Sequence, residues 1–240
     1  MFLTVVIKKR KIITRNNIKM EKKMELVEAI KIRHSVRSYT DKKIEGEVLL
    51  ELNKEIEMCN QESGLHMQLC IEEPKAFSTF MAHYGSFKNT NNYIAIVGDK
   101  KKKLDEASGY FGEKVILRAT QLGLQSCWVA LTVSKGKCAC KISKGEKIYC
   151  IIAIGYGENM GVEHKSKSLD SLCNTDANTP EWFSKGMEAA ILAPTAMNQQ
   201  KFHFTLQNDK VIATAEKGFY AVMDLGIVKY HFEIGSGYKF

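Results

Sequence analysis

The sequence has no glycine-rich loop of the kind that cradles phosphate. Neither G-x-x-x-x-G-K-[ST] nor G-x-G-x-x-G occurs in its 240 residues, and proline is limited to three positions. This excludes the nucleotide-binding classes that depend on such loops. Any phosphate bound by this chain must therefore be held by side chains.

The sequence also lacks a long apolar run. No segment approaches the roughly 18 apolar residues of a membrane-spanning helix. The N-terminal FLTVVI is too short for a secretory signal core, and its charges follow it rather than precede it. We expect residues 1–23 to be a disordered basic extension, with the native start at Met20 or Met24 left open. A tail for a membrane surface or for nucleic acid is the alternative.

The positive charge is concentrated in that extension. Residues 1–23 carry eight Lys or Arg against one Glu, so they supply seven of the eight excess charges of the whole chain. The remainder shows no stripe of Lys and Arg with interleaved aromatics. We therefore expect neither a nucleic-acid partner nor a membrane partner for the folded part.

The seven cysteines do not form a recognisable framework. Their number is odd, their spacing is irregular, and CAC at 138–140 is the only close pair, which is a poor zinc signal. We expect buried, reduced thiols, no metal site and a cytoplasmic location.

Hydrophobic periodicity predicts a mixed order of helices and strands. It indicates helices over 24–32, 45–60 and from 107 to Gly123, with 124–131 extended afterwards. It indicates strands over 66–73, 92–99 and 147–157, the last buried on both faces. The next predicted helix has Thr179 as its N-cap and Pro180 as its first residue, and it ends at Pro194. Strands 201–207 and 210–216 follow, joined by a turn at Asn208–Asp209, and a last helix begins at Tyr220.

This order predicts an α+β fold with a mostly antiparallel central sheet flanked by helices. We expect one domain over residues 24–240. Each of the ranges 24–168 and 169–240 contains a helix that leads into strands, so two degenerate halves are an open alternative.

Four short segments could bind a ligand. RHSVR at 33–37 places two guanidinium groups near a hydroxyl, which suits a phosphate, although it could be a basic helix end. HKSKS at 164–168 is cationic and follows a buried strand, or is a solvated loop. APTAMNQQ at 193–200 contains several side-chain amides that could form hydrogen bonds with a heterocycle, or it is a plain turn. SCWVAL at 126–131 could pack against the face of a flat ring system, or it is a core strand.

In combination, these segments resemble the FMN-dependent nitroreductase family over residues 24–240. RHSVRSY is similar to its Arg-x-Ser-x-Arg/Lys flavin-phosphate motif, and the segment from Gly109 to Leu131 to its central helix and the stretch beneath the flavin. IIAIGYG with the basic residues after it resembles its C-terminal strand and phosphate loop. APTAMNQQ resembles its Ala-Pro-Ser-x-x-Asn-x-Gln motif.

One feature departs from the usual family order. In ordinary members the Pro-Ser-x-x-Asn motif follows soon after the arginine motif, and the flavin lies between two subunits. Here the motif follows HKSKS. This order resembles a divergent branch in which one chain imitates the dimer, and it implies a monomer whose 193–200 segment meets the 33–37 turn.

The resemblance implies a role for each matching residue. Arg33, Lys165 and Lys167 would hold the FMN phosphate, Ser35 the phosphate or ribityl chain, and Arg37 the pyrimidine edge. The remaining cofactor-binding residues would be His34 beside the ribityl or ring, Pro194, Thr195, Asn198 and Gln200 covering the ring, and Val129, Ala130 and Leu131 behind it. No side chain acts as nucleophile or metal ligand, because the flavin carries the chemistry.

The resemblance implies an oxidoreductase. NADH or NADPH would reduce the FMN, and a nitro compound, a quinone or a similar small acceptor would reoxidise it. A non-catalytic flavin- or nucleotide-binding protein is the alternative, and reduction of bound flavin by NADH separates the two.

Overall fold

Helices and strands alternate irregularly along the chain. The computed structural model describes residues 24–78, 84–176 and 178–240. The helices with described bounds are α1 (Leu26–Ile32), α2 (Gly46–Ser63), α3 (Asp105–Gln121), α4 (Glu181–Ala190) and α5 (Ala221–Ser236). The strands are β1 (His66–Cys70), β2 (Tyr93–Asp99), β3 (Gln125–Val129), β4 (Glu146–Gly155), β5 (Phe202–Gln207) and β6 (Lys210–Ala215).

Four strands form an antiparallel sheet in the order β1-β2-β4-β3. The two central strands, β2 and β4, are buried along almost their whole length, as their continuous apolar sequences require. α2 and α3 contribute to the core on one face of this sheet, whereas Val36, Tyr39, Phe77 and Phe87 contribute to the core on the other. The predicted α+β fold with a mostly antiparallel sheet is confirmed.

The C-terminal part adds a second, smaller core. β5 and β6 form a separate hairpin, whose side chains pack with α4 and α5 around Phe183, Phe204 and Phe232. α5 crosses α3 so closely that a Cβ at Gly226 would meet the Glu106 carbonyl. This glycine contact joins the C-terminal part to the helices of the four-stranded sheet.

Most predicted elements are confirmed within two or three residues. The hairpin turn is confirmed as well, since Asn208 and Asp209 both have positive φ, 51° and 58°, as a tight two-residue turn needs. Five of the seven cysteines are buried, as expected. No described helix is long and apolar enough to cross a membrane. The predictions for residues 1–23 lie outside the described residues.

The predicted start of α4 is wrong by one residue. The helix begins at Glu181, and Pro180 is the N-cap, with extended ψ of 143°. The Thr179 hydroxyl instead interacts with Asp176, accepting a hydrogen bond from its backbone N–H at 2.8 Å. Threonine therefore closes the preceding turn rather than capping the helix.

Candidate functional site

A cavity of about 370 Å³ lies between the four-stranded sheet and the C-terminal part. We call its two sides the sheet wall, residues 127–132, and the turn wall, residues 194–197 with the start of α5. Ser35 and Arg37 contribute to its lining as well. Its lining comprises Ser35, Arg37, Cys127, Trp128, Val129, Ala130, Leu131, Thr132, Cys150, Pro194, Thr195, Ala196, Met197, Phe219, Tyr220, Met223, Asp224 and Ile227. A larger, more open groove between α1, α2, α3 and α5 is lined by none of the four predicted segments.

The RHSVR turn reaches the cavity because it runs beside β3. α1 ends at Ile32, and Ser35 then pairs with Ser126 as an isolated parallel bridge. The Val36 N–H donates to the Ser126 carbonyl at 3.0 Å. Successive side chains of extended backbone point to opposite sides. Ser35 and Arg37 therefore line the cavity, whereas Val36 is buried in the core.

Arg33 lies deeper than Arg37. Its side chain is buried, and its Nε is 3.5 Å from Glu113 Oε1. A smaller cavity of about 140 Å³ is lined by Arg33, His34 and Ser126. Arg33 Nε and Ser126 Oγ are both buried without a hydrogen-bond partner. An unsatisfied buried guanidinium nitrogen and hydroxyl are costly, and they mark this cavity as a site for an acceptor.

The charge of Arg33 affects the pKa values of two nearby histidines. Burial lowers the pKa of His34, and the positive charge of Arg33 lowers it further. Burial also lowers the pKa of His164 in the HKSKS loop, where Arg33 and His34 add to the effect. The HKSKS loop therefore brings His164 close to the RHSVR turn.

Side chains hold the 194–200 turn in place. The Asp224 carboxylate accepts hydrogen bonds from the Ala196 N–H at 3.0 Å and from Gln199 Nε2 at 2.8 Å. Thr195 Oγ1 accepts one from the Gln200 N–H at 3.0 Å. Burial raises the pKa of Asp224 to about 6, although the Gln199 and Ala196 hydrogen bonds oppose the rise.

The same turn is tied to the HKSKS loop. Gln200 Oε1 accepts a hydrogen bond from the Lys167 N–H at 2.8 Å, and Gln200 Nε2 donates to the Lys165 carbonyl at 2.9 Å. Lys167 Nζ donates to the Gln200 carbonyl at 3.0 Å, and Asn198 Nδ2 donates to the Lys165 carbonyl at 2.9 Å. The two predicted segments therefore form one bonded unit.

Comparison with known proteins identifies the family. Residues 25–236 match the family model described as "Putative TM nitroreductase". The chain belongs to this nitroreductase family. Comparison with curated protein sequences gives no match.

Solved structures show the same fold. A "putative nitroreductase" from Thermotoga maritima is 22% identical, with a TM-score of 0.64, over 95% of this chain and 88% of the other. One from Desulfovibrio desulfuricans, in complex with FMN, is 17% identical with a TM-score of 0.51, over 66% of this chain and all of the other. A nitroreductase family protein from Streptococcus pneumoniae is 14% identical with a TM-score of 0.51, over 63% and 100%.

The nitroreductase fold brings most of the predicted residues to the two cavities. The large cavity contains Ser35, Arg37, Val129, Ala130, Leu131, Pro194 and Thr195, and the small one contains Arg33 and His34. The lining found for these two cavities does not include Lys165, Lys167, Asn198 or Gln200, which instead form the bonded unit behind the turn wall. The roles of all thirteen predicted residues toward a cofactor stay predictions.

Sequence reasoning missed the contribution of α5 and of the two residues before it. Phe219, Tyr220, Met223, Asp224 and Ile227 all line the large cavity. One signal was available: Asp224 interrupts the apolar stretch AVMDLGIV, and a buried carboxylate requires partners. Nothing comparable marks the aromatic and aliphatic residues, which are indistinguishable from core by sequence.

Proposed function

We propose that this chain is an FMN-dependent oxidoreductase that takes electrons from NADH or NADPH and passes them to a small acceptor. One observation carries the proposal: the RHSVR turn, the 127–132 segment and the 194–197 segment line one cavity. These segments are distant in sequence, so only the fold brings them together. They are also the segments that resemble the family's flavin-binding motifs.

The residues present fit FMN. The cavity volume of about 370 Å³ lies within the range of small-molecule sites, and its walls are mostly apolar, as a flat ring system requires. Arg37 and Ser35 contribute a cation and a hydroxyl to the lining. Arg33 and Ser126 line the smaller cavity, and Arg33 Nε and Ser126 Oγ have no hydrogen-bond partner. Arg33 would therefore hold the phosphate, with Lys165 and Lys167 in support and with His34 and Ser35 near the ribityl chain.

The chain's own residues orient the cofactor and tune its electronics. Bound FMN supplies reversible hydride chemistry, so no nucleophile or metal is needed. Arg37 lines the cavity and would hold a fixed positive charge at the pyrimidine edge of the ring, which makes reduction of a flavin easier. Val129, Ala130 and Leu131 would back the ring, while Pro194 and Thr195 would cover it and exclude water. Asn198 and Gln200 would support this cover from the turn, through their hydrogen bonds to the Lys165 carbonyl.

The residues at the rim of the cavity support the proposal that the electron acceptor is flat and apolar. Leu131, Met197 and Phe219 all line the cavity, yet their exposed fractions are 59%, 81% and 49%. Large exposed apolar side chains around a cavity mouth are typical of a ligand-binding surface. A nitroaromatic compound or a quinone would fit this rim, and the electron donor would use the same opening in turn.

We further propose that a monomer forms the complete site. Ser35 and Arg37 belong to the range 24–168, and Thr195 and Met197 to the range 169–240, yet all four line one cavity within one chain. This supports two degenerate halves that replace the two subunits of an ordinary family dimer. Seven free thiols, five of them buried, suit a reducing cytoplasm.

The visible absorption spectrum of the purified protein is the primary test. We expect flavin absorption, or its appearance on titration with FMN, and bleaching by NADH or NADPH without oxygen. Bound FMN that neither donor bleaches would favour the non-catalytic alternative, and failure to bind FMN would reject the proposal. A size-verified monomer should bind one FMN; binding that requires a dimer would reject the single-chain site.

A further inference from the structure

A fully buried cluster of polar groups lies behind the sheet wall. Glu113 on α3 is 0% exposed and accepts a hydrogen bond from Trp128 Nε1 at 2.9 Å, and its Oε1 also lies 2.9 Å from His231 Nε2. Arg33 Nε lies 3.5 Å from the same carboxylate oxygen that His231 contacts. The cluster therefore connects the cavity-lining Trp128, the phosphate-site candidate Arg33 and the C-terminal helix α5.

The hydrogen bonds of His231 determine how many protons the cluster holds. His231 is 0% exposed, and its Nδ1 lies 3.2 Å from the Ala189 carbonyl oxygen. A carbonyl only accepts, so with the ring oriented to make this bond, Nδ1 carries a hydrogen. Nε2 faces the Glu113 carboxyl, so one further hydrogen must lie between them, on Nε2 or on the carboxyl.

The His231–Glu113 pair is therefore electrically neutral as a unit. It holds one proton more than a neutral imidazole beside a carboxylate. Burial acts to raise the pKa of Glu113, but hydrogen bonding to His231 and the charge of Arg33 lower it overall, which favours the carboxylate form of Glu113. Glu113 consequently cannot neutralise Arg33 as well.

The charge of Arg33 is left without a full counterion. Its side chain is 3% exposed, and its Nε lacks a hydrogen bond. The pKa values of His34 and His164 reflect this charge. Burial lowers both values, the charge of Arg33 lowers them further, and the charge of Glu163 opposes the shift. A buried, uncompensated guanidinium is expensive, and a bound anion relieves the cost.

We propose that His231 and Glu113 are positioning residues that hold Arg33 and keep its charge available for the phosphate of the bound cofactor. This rests on the proposed function. Without the His231 proton, the Glu113 carboxylate would neutralise Arg33 and compete with the phosphate. The pair thus acts on phosphate affinity through Arg33 and touches neither cofactor nor substrate.

The test compares FMN with riboflavin, which lacks the phosphate, in wild type and three variants. In His231→Gln, Glu113 remains charged and unmatched, so we expect FMN binding to weaken by about tenfold or more while riboflavin binding changes by less than about twofold. In Glu113→Gln, Arg33 has no competitor, and FMN binding should be at least as tight as in wild type. Circular dichroism and size verification establish that each variant is folded.

The double variant His231→Gln/Glu113→Gln separates charge from structure. It removes one positive and one negative charge, so the net charge around Arg33 returns to that of wild type. We expect FMN affinity to recover to within about threefold of wild type. A purely structural role instead predicts that both single variants weaken FMN and riboflavin alike and that the double variant is worst; that result would overturn the inference.

A probe without flavin keeps this inference separate from the proposed function. If wild type binds neither FMN nor riboflavin, the proposed function fails. Inorganic phosphate then serves as the anion, and its stabilisation against thermal unfolding is the readout. Wild type and the double variant should gain stability with phosphate while His231→Gln should not. Equal gains, or no gain in any of them, would reject the role of the pair.

Discussion

The two walls of the cavity are held by different kinds of bond. The sheet wall begins in β3, which is hydrogen bonded to β4 in regular register, with Trp128 opposite Ile152. The turn wall is held by side chains: Asp224 and Thr195 accept hydrogen bonds from backbone N–H groups of the turn. Backbone pairing tolerates many side chains, whereas side-chain bonds depend on individual residues.

Backbone strain follows the same division. In the turn wall and the residues just after it, Met197, Asn198 and Gln200 have positive φ of 52°, 53° and 46°. In β3, all five residues follow the extended ladder. Non-glycine residues with positive φ persist only where their surroundings hold them. The turn wall is therefore the more sensitive to substitution, and the predictions below test that difference.

The largest expected effect is on the helix crossing that supports the turn wall. In Gly226→Ala, the new Cβ would meet the Glu106 carbonyl and lie 2.7 Å from the Tyr110 N. These are backbone atoms of α3 and cannot swing aside. We expect a loss of about 3 kcal/mol or more in the free energy of unfolding, measured with urea.

Gly136→Ala is the matched control, because nothing lies within 4 Å of its Cβ position. Its free energy of unfolding should stay within about 0.5 kcal/mol of wild type. Equal stability of the Gly226→Ala protein would show that α5 can move away from α3 and that the close crossing does not fix the turn wall.

The next effect compares Arg33 with Arg37. A charge-assisted bond to phosphate contributes roughly 1.5–3 kcal/mol, so Arg33→Ala should weaken FMN binding about 10- to 150-fold. Arg37→Ala should change binding less and slow the reduction of bound FMN by NADH more. Fluorescence titration and stopped-flow absorbance measure the two effects.

Arg118→Ala provides the control for lost positive charge, since Arg118 pairs with Glu51 at 2.7 Å in the separate groove. It should leave both measurements unchanged. Equal and negligible effects of Arg33→Ala and Arg37→Ala would instead support the alternative that RHSVR is only a basic helix end.

The sheet wall could be predicted from sequence and the turn wall only in part. The apolar stretch that contains β3 and the apolar run of β4 are local patterns, and each of them predicts a strand without reference to distant residues. The turn wall depends on Asp224, which is 28 positions from its partner Ala196. No local pattern specifies that bond, although the family resemblance did select Pro194 and Thr195.

The depth of Arg33 could not be predicted either. RHSVR reads as a solvated basic turn, but Arg33 is buried beside Glu113, 80 positions later in the chain. The helical spacing of Val115, Ile116 and Ala119 identified the inner face of α3 without indicating that Glu113 is buried too. A buried acid is recognised only when its donors are known, and His231 and Trp128 come from two other elements.

A smaller effect is expected from Gln200, which is 2% exposed. Gln200→Ala leaves the Lys167 N–H without its acceptor and removes one donor from the Lys165 carbonyl. Both hydrogen bonds are only partly buried, so we expect about 1–2 kcal/mol of lost stability and weaker FMN binding. Urea unfolding and FMN titration check both.

The control is Gln61→Ala, since Gln61 is exposed on α2 and contacts only Glu57, at 3.4 Å, among the bonds described for its side chain. That variant should remain within about 0.5 kcal/mol of wild type. If Gln200→Ala were equally mild, the HKSKS loop and the turn wall would not depend on each other.

The last prediction concerns how the free energy of unfolding changes with pH. Burial raises the pKa of Asp224 from 3.8 to about 6, so between these values the folded state holds a proton that the unfolded state has lost. This group therefore makes the free energy of unfolding fall as pH rises from about 4 to about 6. Asp224→Asn removes that contribution.

The stability of Asp224→Asn relative to wild type should therefore increase from pH 4 to pH 6 and then level off. His34 and His164, whose pKa values are lowered, give a slope of opposite sign below about pH 6.5, because their protonation favours the unfolded state. They are present in both proteins, so their contribution cancels in the difference. Urea unfolding at intervals from pH 4 to 8 measures this difference. A difference that does not vary with pH would mean that Asp224 stays ionised in the folded protein, and that the turn wall is held by a charged acceptor across this range.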